Sequence, residues 1–281
     1  SCSLWSHRTL LQRLRSSVRP RRSPTSMSRT ASCGARAAAR PRILVVNPNT
    51  SASFTELLAA RAGQWPQLDA VCVNPGTGPA SIEGAMDDVL SAAPTLELIL
   101  GRRGSFDAVV VACISEHSAI AAAREALAEP VVGVLEASAM MACQVGERFA
   151  IVTSNKRWEP LLWRALETYG LRTRCCAVRG CLDRVLDLEG DAHATILQAA
   201  QEMVEGGAEV IVLGCAGMAG LKEALEAKLQ VPVVDPLDAG LAMATALVTA
   251  GLSTSKANTY SRPGFKNCPN VSPLLQSAYA R

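Results

Sequence analysis

The 281-residue chain is 49% hydrophobic but only 4% aromatic, a composition suited to packed helices and buried strands and poor in the stacking side chains of a nucleic-acid surface. Its net charge of +3 is unevenly spread: residues 1–42 carry ten arginines and no acid, which leaves 18 Lys+Arg against 25 Asp+Glu in the remainder. The basic balance therefore implies no nucleic-acid partner, and the absence of 18 consecutive apolar residues implies no membrane span.

Residues 1–41 read as a basic, disordered leader, Arg- and Ser-rich like an organelle transit peptide. The competing readings are a plain disordered tail, or translated sequence ahead of a start at Met27. The expected location is the cytoplasm, or a mitochondrion or plastid if the leader is a transit peptide. Beyond it, Ile43–Val46 is a strand-like run, and Ser51 or Ser53 can cap a helix over 54–62. Leu68–Val73 reads as a strand, followed by the Pro/Gly loop 74–79 and a helical pattern over about 81–102. Ala108–Ala112 has the continuous β-branched character of a strand buried on both faces. Residues 118–128 are Ala-rich and helical, and Val131–Val134 is another short strand. Strands alternating with helices of this length indicate βαβ units and a parallel sheet.

The second half repeats the first. Arg42-Ile-Leu-Val-Val-Asn-Pro-Asn49 is echoed by Arg148-Phe-Ala-Ile-Val-Thr-Ser-Asn155, and Asp107-Ala-Val-Val-Val-Ala-Cys113 by Glu209-Val-Ile-Val-Leu-Gly-Cys215. Pro130-Val-Val-Gly-Val-Leu-Glu-Ala137 is echoed by Pro232-Val-Val-Asp-Pro-Leu-Asp-Ala239, with Cys and Pro displaced by the same interval. Three echoes in order argue for two similar Rossmann-like or flavodoxin-like α/β domains related by a pseudo-two-fold, with a site in the cleft between them. Domain one is placed at 42–137 plus 233–253, domain two at 138–232, and a loosely held tail at 254–281.

Ten cysteines in a chain of this kind suggest thiols rather than a disulfide framework. The Cys175-Cys176-Cys181 cluster lacks CxxC spacing and a nearby His, so no metal is expected. A Cys at the end of a buried strand is ordinarily a small core residue. What singles out Cys113 and Cys215 is their paired placement, each after a buried strand and before a helix. Ligands bind at such carboxyl ends, and a helix N-terminus there lowers a thiol pKa. Two thiols facing each other suit racemisation: one takes the α-proton from one face, the other returns a proton to the opposite face, and no cofactor is needed. The enolate formed in between requires hydrogen-bond donors, and the substrate requires an activated α-carbon such as that of a hydantoin ring.

These residues also carry a resemblance. Val45-Val-Asn-Pro-Asn-Thr-Ser51, Gly78-Pro-Ala-Ser-Ile-Glu-Gly84, Val111-Ala-Cys113, Gly146-Glu-Arg-Phe-Ala-Ile-Val-Thr153 and Leu213-Gly-Cys-Ala-Gly-Met218 resemble the aspartate/glutamate/hydantoin racemase superfamily over about residues 42–250. The hydantoin and allantoin racemase branch fits best, with fungal Dcg-like proteins among the relatives. The resemblance implies a small-molecule substrate and a homo-oligomer. By motif, Cys113 and Cys215 would be the two acid/bases, and Asn49 and Thr153, from corresponding strand ends, would hold polar groups of the substrate. Backbone N–H groups of Ile114, Ser115, Ala216 and Gly217 would bind its carbonyl oxygens. After Cys113 the chain departs from the bacterial pattern of Phe, a small residue, Asp-Pro-Gly: it has Ile114-Ser-Glu-His-Ser118, closer to fungal relatives. His117 either caps the next helix, tunes Cys113 or touches substrate. Ser81 is either a pocket residue or part of a packing loop.

The alternatives within chemistry are an aspartate/glutamate-type racemase, for which no Arg or Lys stands beside either Cys motif, and a related lyase or cis–trans isomerase. From another class, the chain could be a small-molecule-binding protein with a degenerate site. No GxGxxG or Walker A motif points to a nucleotide.

Overall fold

The structure is a computed structural model and describes residues 40–181, 192–215, 218 and 220–279. The leader reading and the Ala216 and Gly217 positions lie outside the described residues.

Strands β1 (Arg42–Val46), β2 (Asp69–Val73), β3 (Ala108–Val111) and β4 (Val131–Gly133) form a parallel sheet in the order β2-β1-β3-β4. Strands β5 (Phe149–Thr153), β6 (Cys175–Gly180), β7 (Val210–Leu213) and β8 (Val233–Val234) form a second parallel sheet in the order β6-β5-β7-β8. The second order is the first shifted by four strands, so the echo in sequence is an echo of topology. β3, β5 and β7 are buried along their whole length, and β1 all but Arg42. This is why they read as uninterrupted apolar runs rather than alternating ones.

The helices between them are α1 (Ala52–Ala62), α2 (Ala85–Leu100), α3 (Ser118–Ala126), α4 (Val134–Val145), α5 (Trp158–Thr168), α6 (Ala192–Glu205), α7 (Lys222–Leu229) and α8 (Pro236–Thr249). Ser51 caps α1, its hydroxyl accepting from the N–H of Phe54 at 3.3 Å. Asp235 caps α8 by accepting from the N–H groups of Leu237 and Asp238, with Pro236 opening the helix. α2 starts at Ala85, later than the helical pattern from 81 predicts. The loop before it is instead pinned across the end of β1 by the N–H of Thr50 donating to the carbonyl of Pro79 at 2.9 Å, with Gly78 at φ +122° allowing the turn.

Two helices exchange places. α4 leaves β4 yet packs on β5, β7 and β8, whereas α8 leaves β8 and returns to β1, β3 and β4, lying against α4. One buried cluster consequently runs through both sheets, from Val45 and Val110 by way of Leu135, Ala139, Leu237 and Leu241 to Ile151 and Val212. At Gly240 the backbone of α8 comes so near that a Cβ would lie 2.8 Å from Val110 Cγ1. Among the described residues no helix is long and apolar enough to cross a membrane.

The segment from 254 is more ordered than its polar composition predicts. Lys256 donates to the carbonyls of Arg124, Glu125 and Tyr260, and a short helix α9 (Pro273–Ser277) lies on α2, where Leu275 joins a core cluster. The order comes from a few long-range polar ties, which leave no periodic trace in sequence.

Candidate active site

In each sheet the chain reverses strand order beside the first strand: β1 to β2 runs one way and β3 lies on the other side, and β5, β6 and β7 repeat this. Crevices form at such switch points, beyond the carboxyl ends of the strands. The residues following β1 and β3, and those following β5 and β7, meet at one cavity of about 500 Å³ that opens to solvent. Asn47, Pro48 and Asn49 come from the end of β1, and Ala112, Cys113 and Ile114 from the end of β3. Ser154 comes from the end of β5, and Gly214 and Cys215 from the end of β7. Phe54, Ile82 and Trp158 supply apolar walls. One thiol from each copy of the repeat therefore lines the same space, and among the described residues no Lys or Arg does.

Cys113 accepts a hydrogen bond from the hydroxyl of Ser115 at 3.3 Å. Burial pushes its thiol up to about 12; the Ser115 bond opposes this, and the negative charges of Asp88 and ionised Cys215 add to it. The expectation of a thiol lowered by a helix N-terminus is thus corrected for Cys113. α3 begins five residues later, at Ser118, and its first free N–H groups are capped by other side chains. Cys215 likewise stands ahead of α7, which begins at Lys222.

The polar groups sort into those facing the cavity and those bracing it. Asn47 is buried and donates through Nδ2 to Asn49 Oδ1 at 2.9 Å and to the carbonyl of Ser51 at 3.1 Å. Asn49 Oδ1 also accepts from the N–H of Ser51 at 2.8 Å, which fixes the amide and leaves its Nδ2 for a ligand. Thr153 does not line the cavity. Its hydroxyl donates to the carbonyl of Gly214 at 2.8 Å and holds the Cys215 turn against β5. The N–H of Ser115 donates to the carbonyl of Cys113 at 2.9 Å, so this residue reaches the site through its hydroxyl; Ile114 lines the cavity directly.

His117 is 1% exposed and caps α3. Its Nδ1 accepts from the N–H of Ala119 at 3.2 Å, which places the ring proton on Nε2, 2.9 Å from Ser91 Oγ. Ser91 in turn donates to the carbonyl of Asp88 at 3.0 Å. His117 thus stands at the start of α3, against Ser91 of α2, and does not line the cavity that holds the thiols. Burial lowers its pKa, against the pull of Asp88. Ser81 bonds Glu83 at 2.9 Å, and its neighbour Ile82 is the cavity residue of that loop.

A family model described as Asp/Glu/Hydantoin racemase matches residues 43–244. The chain belongs to this family. The racemase is 39% identical to a hydantoin racemase of Paenarthrobacter aurescens over 233 residues, 80% of this chain and 98% of the other. The solved allantoin racemase from Klebsiella pneumoniae superposes with a TM-score of 0.80 at 35% identity, covering 86% of this racemase and all of that chain. A yeast relative, Protein DCG1 of Saccharomyces cerevisiae, is 29% identical over 214 residues, 67% of this chain and 87% of its own.

Ser154 is the site residue that the sequence reasoning passed over. It is 1% exposed, it lines the cavity, and its hydroxyl has no hydrogen-bond partner. The signal was present in the tripeptide echo: Thr153-Ser154-Asn155 mirrors Asn47-Pro48-Asn49, all three of which line the cavity, and Ser154 is the member of the second tripeptide that does so.

Proposed function

We propose that the racemase inverts the activated carbon of a hydantoin-type ring by proton transfer between Cys113 and Cys215, without a cofactor. The observation that carries this reading is that two thiols, one from each repeat, line one cavity at the two switch points. Burial keeps Cys113 protonated, so it enters as the proton donor, and the role of base falls to Cys215. The Cys215 thiolate takes the proton from C5, the C–H electron pair moves into the adjacent carbonyl as an enolate, and the Cys113 thiol protonates C5 on the opposite face. One turnover exchanges the roles, and a substrate of opposite hand restores them. Asn49 Nδ2 and the hydroxyl of Ser154 are donors suited to ring carbonyls, and a donor aimed at developing enolate charge gains most in a cavity walled by Phe54, Ile82 and Trp158. Among the described residues no cation lines the cavity, which disfavours an amino dicarboxylate, whose two carboxylates need one.

The test is proton NMR of the full chain in heavy water with single enantiomers of allantoin and 5-substituted hydantoins. Deuterium at C5 with loss of optical rotation is expected. Cys113→Ser and Cys215→Ser should each abolish racemisation yet keep C5 exchange on one enantiomer, opposite for the two variants. Full racemisation by both variants would sink the two-thiol mechanism.

A further inference from the structure

A second cavity, about 470 Å³ and open to solvent, lies next to the first and shares Trp158 as a wall. Ser115, whose hydroxyl bonds the Cys113 sulfur, lines it, so it begins beside the reacting thiol. Trp158 and Leu161 give it an apolar floor, and Asp88, Glu116 and Arg164 give it a polar rim. Asp88 is partly committed, accepting from the N–H of Ser118 at 3.3 Å and from the Ser118 hydroxyl, whereas Glu116, in the loop before α3, and Arg164, midway along α5, are exposed.

We infer that this second cavity receives the substituent on the reacting carbon and selects a neutral, planar, ureido-type group there. The inference rests on the reading of the first cavity as the ring site. During inversion the substituent must lie near the plane between the two thiols, so it has to leave the first cavity sideways, and the second cavity, which begins at Ser115 and Trp158, is the space adjoining Cys113 on that side. A ureido group presents two N–H donors and one carbonyl in a plane. It can lie on Trp158, donate to Glu116 or Asp88, and accept from the Arg164 guanidinium. An alkyl or benzyl group would cover these charges without bonding them, which a site built for hydrogen bonds rejects strongly. Two carboxylates against one guanidinium also repel a carboxylate side chain, which adds a second barrier to amino dicarboxylates.

The experiment measures kcat/KM for C5 deuterium exchange on 5-ureidohydantoin (allantoin) and 5-methylhydantoin, with the parent enzyme, Glu116→Leu and Arg164→Leu. Both positions are exposed, so neither change threatens the core. The parent should favour the ureido substrate, and each variant should lower the ureido-to-methyl ratio by about tenfold or more, chiefly through KM. A ratio unmoved in both variants, with the parent active on both substrates, overturns the subsite alone. Exchange of neither substrate by the parent overturns the hydantoin reading and the subsite with it.

Discussion

Gly214→Ala is the sharpest test of how packing places Cys215. The Gly214 N–H donates to the carbonyl of Val152 at 2.6 Å, and its own carbonyl accepts from Thr153. A Cβ added there would stand 2.7 Å from Thr153 Cβ, 2.7 Å from the Val152 carbonyl oxygen and 3.0 Å from Ile151 Cγ2. Ordinary carbon contacts begin near ~3.5 Å, so relief requires the end of β7 to retreat from β5 by about 1 Å. The neighbours are backbone or β-branched side chains of a buried strand and have little room to yield. Overpacking of this kind costs about 1–3 kcal/mol, and stretching the two hydrogen bonds adds about 1 kcal/mol each. A displacement of ~1 Å at a reacting group costs about 100-fold in rate. Urea unfolding should therefore show a loss of about 3–5 kcal/mol, and C5 exchange should fall about 100-fold in protein that is still folded. Gly264→Ala, where the added Cβ meets nothing within 4 Å, is the matched control and should change neither. A Gly214→Ala enzyme with parental stability and parental exchange would refute the claim that this glycine sets the thiol's position.

Ser154→Ala should weaken substrate analogue binding by about tenfold while leaving the melting temperature unchanged or slightly raised, because the hydroxyl bonds no protein group that would be stranded; calorimetric titration and thermal melts read the two. The raised pKa of Cys113 means that its thiolate, the reactive form, grows with pH: alkylation of Cys113 by iodoacetamide, followed by mass spectrometry, should keep rising through pH 10, and a plateau at neutral pH would contradict the burial argument. His117 has its folded pKa below the ordinary value of about 6.5, so the unfolded chain takes up the proton first as pH falls. Its contribution is complete above that value and is lost as pH drops through the folded one. His117→Asn, which keeps a capping side chain, should flatten the stability loss between pH 7 and pH 5 in urea titrations.

The parallel sheets were legible because β1, β3, β5 and β7 are buried on both faces and so read as unbroken valine-rich runs. Their repetition was legible because equal topology placed Cys and Pro at equal intervals. Cys113 and Cys215 stood out for the same reason. What the sequence hid was set by contacts between segments far apart in the chain. Pinning of Pro79 over Thr50 unwinds the start of the helical pattern at 81 and turns Ile82 rather than Ser81 inward. Whether Thr153 or Ser154 faces the cavity depends on which of them the Gly214 carbonyl engages. The Cys113 pKa was misread because the sequence shows a helix following a thiol but neither the His117 and Asp88 side chains that cap its first N–H groups nor the burial that outweighs its dipole.

The reciprocal exchange of α4 and α8 bears on how the molecule comes apart. Each sheet is closed on one side by a helix that the other half of the chain supplies, so neither half contains all the apolar surface its own sheet must cover. Despite two sheets and a repeated sequence, melting should be a single cooperative event. The two thiols, each beyond the carboxyl end of an inner strand of a different sheet, are then kept in register by the same cooperative unit. No hinge is needed to hold them opposed, and a cut between α4 and β5 should yield pieces that regain structure only when mixed.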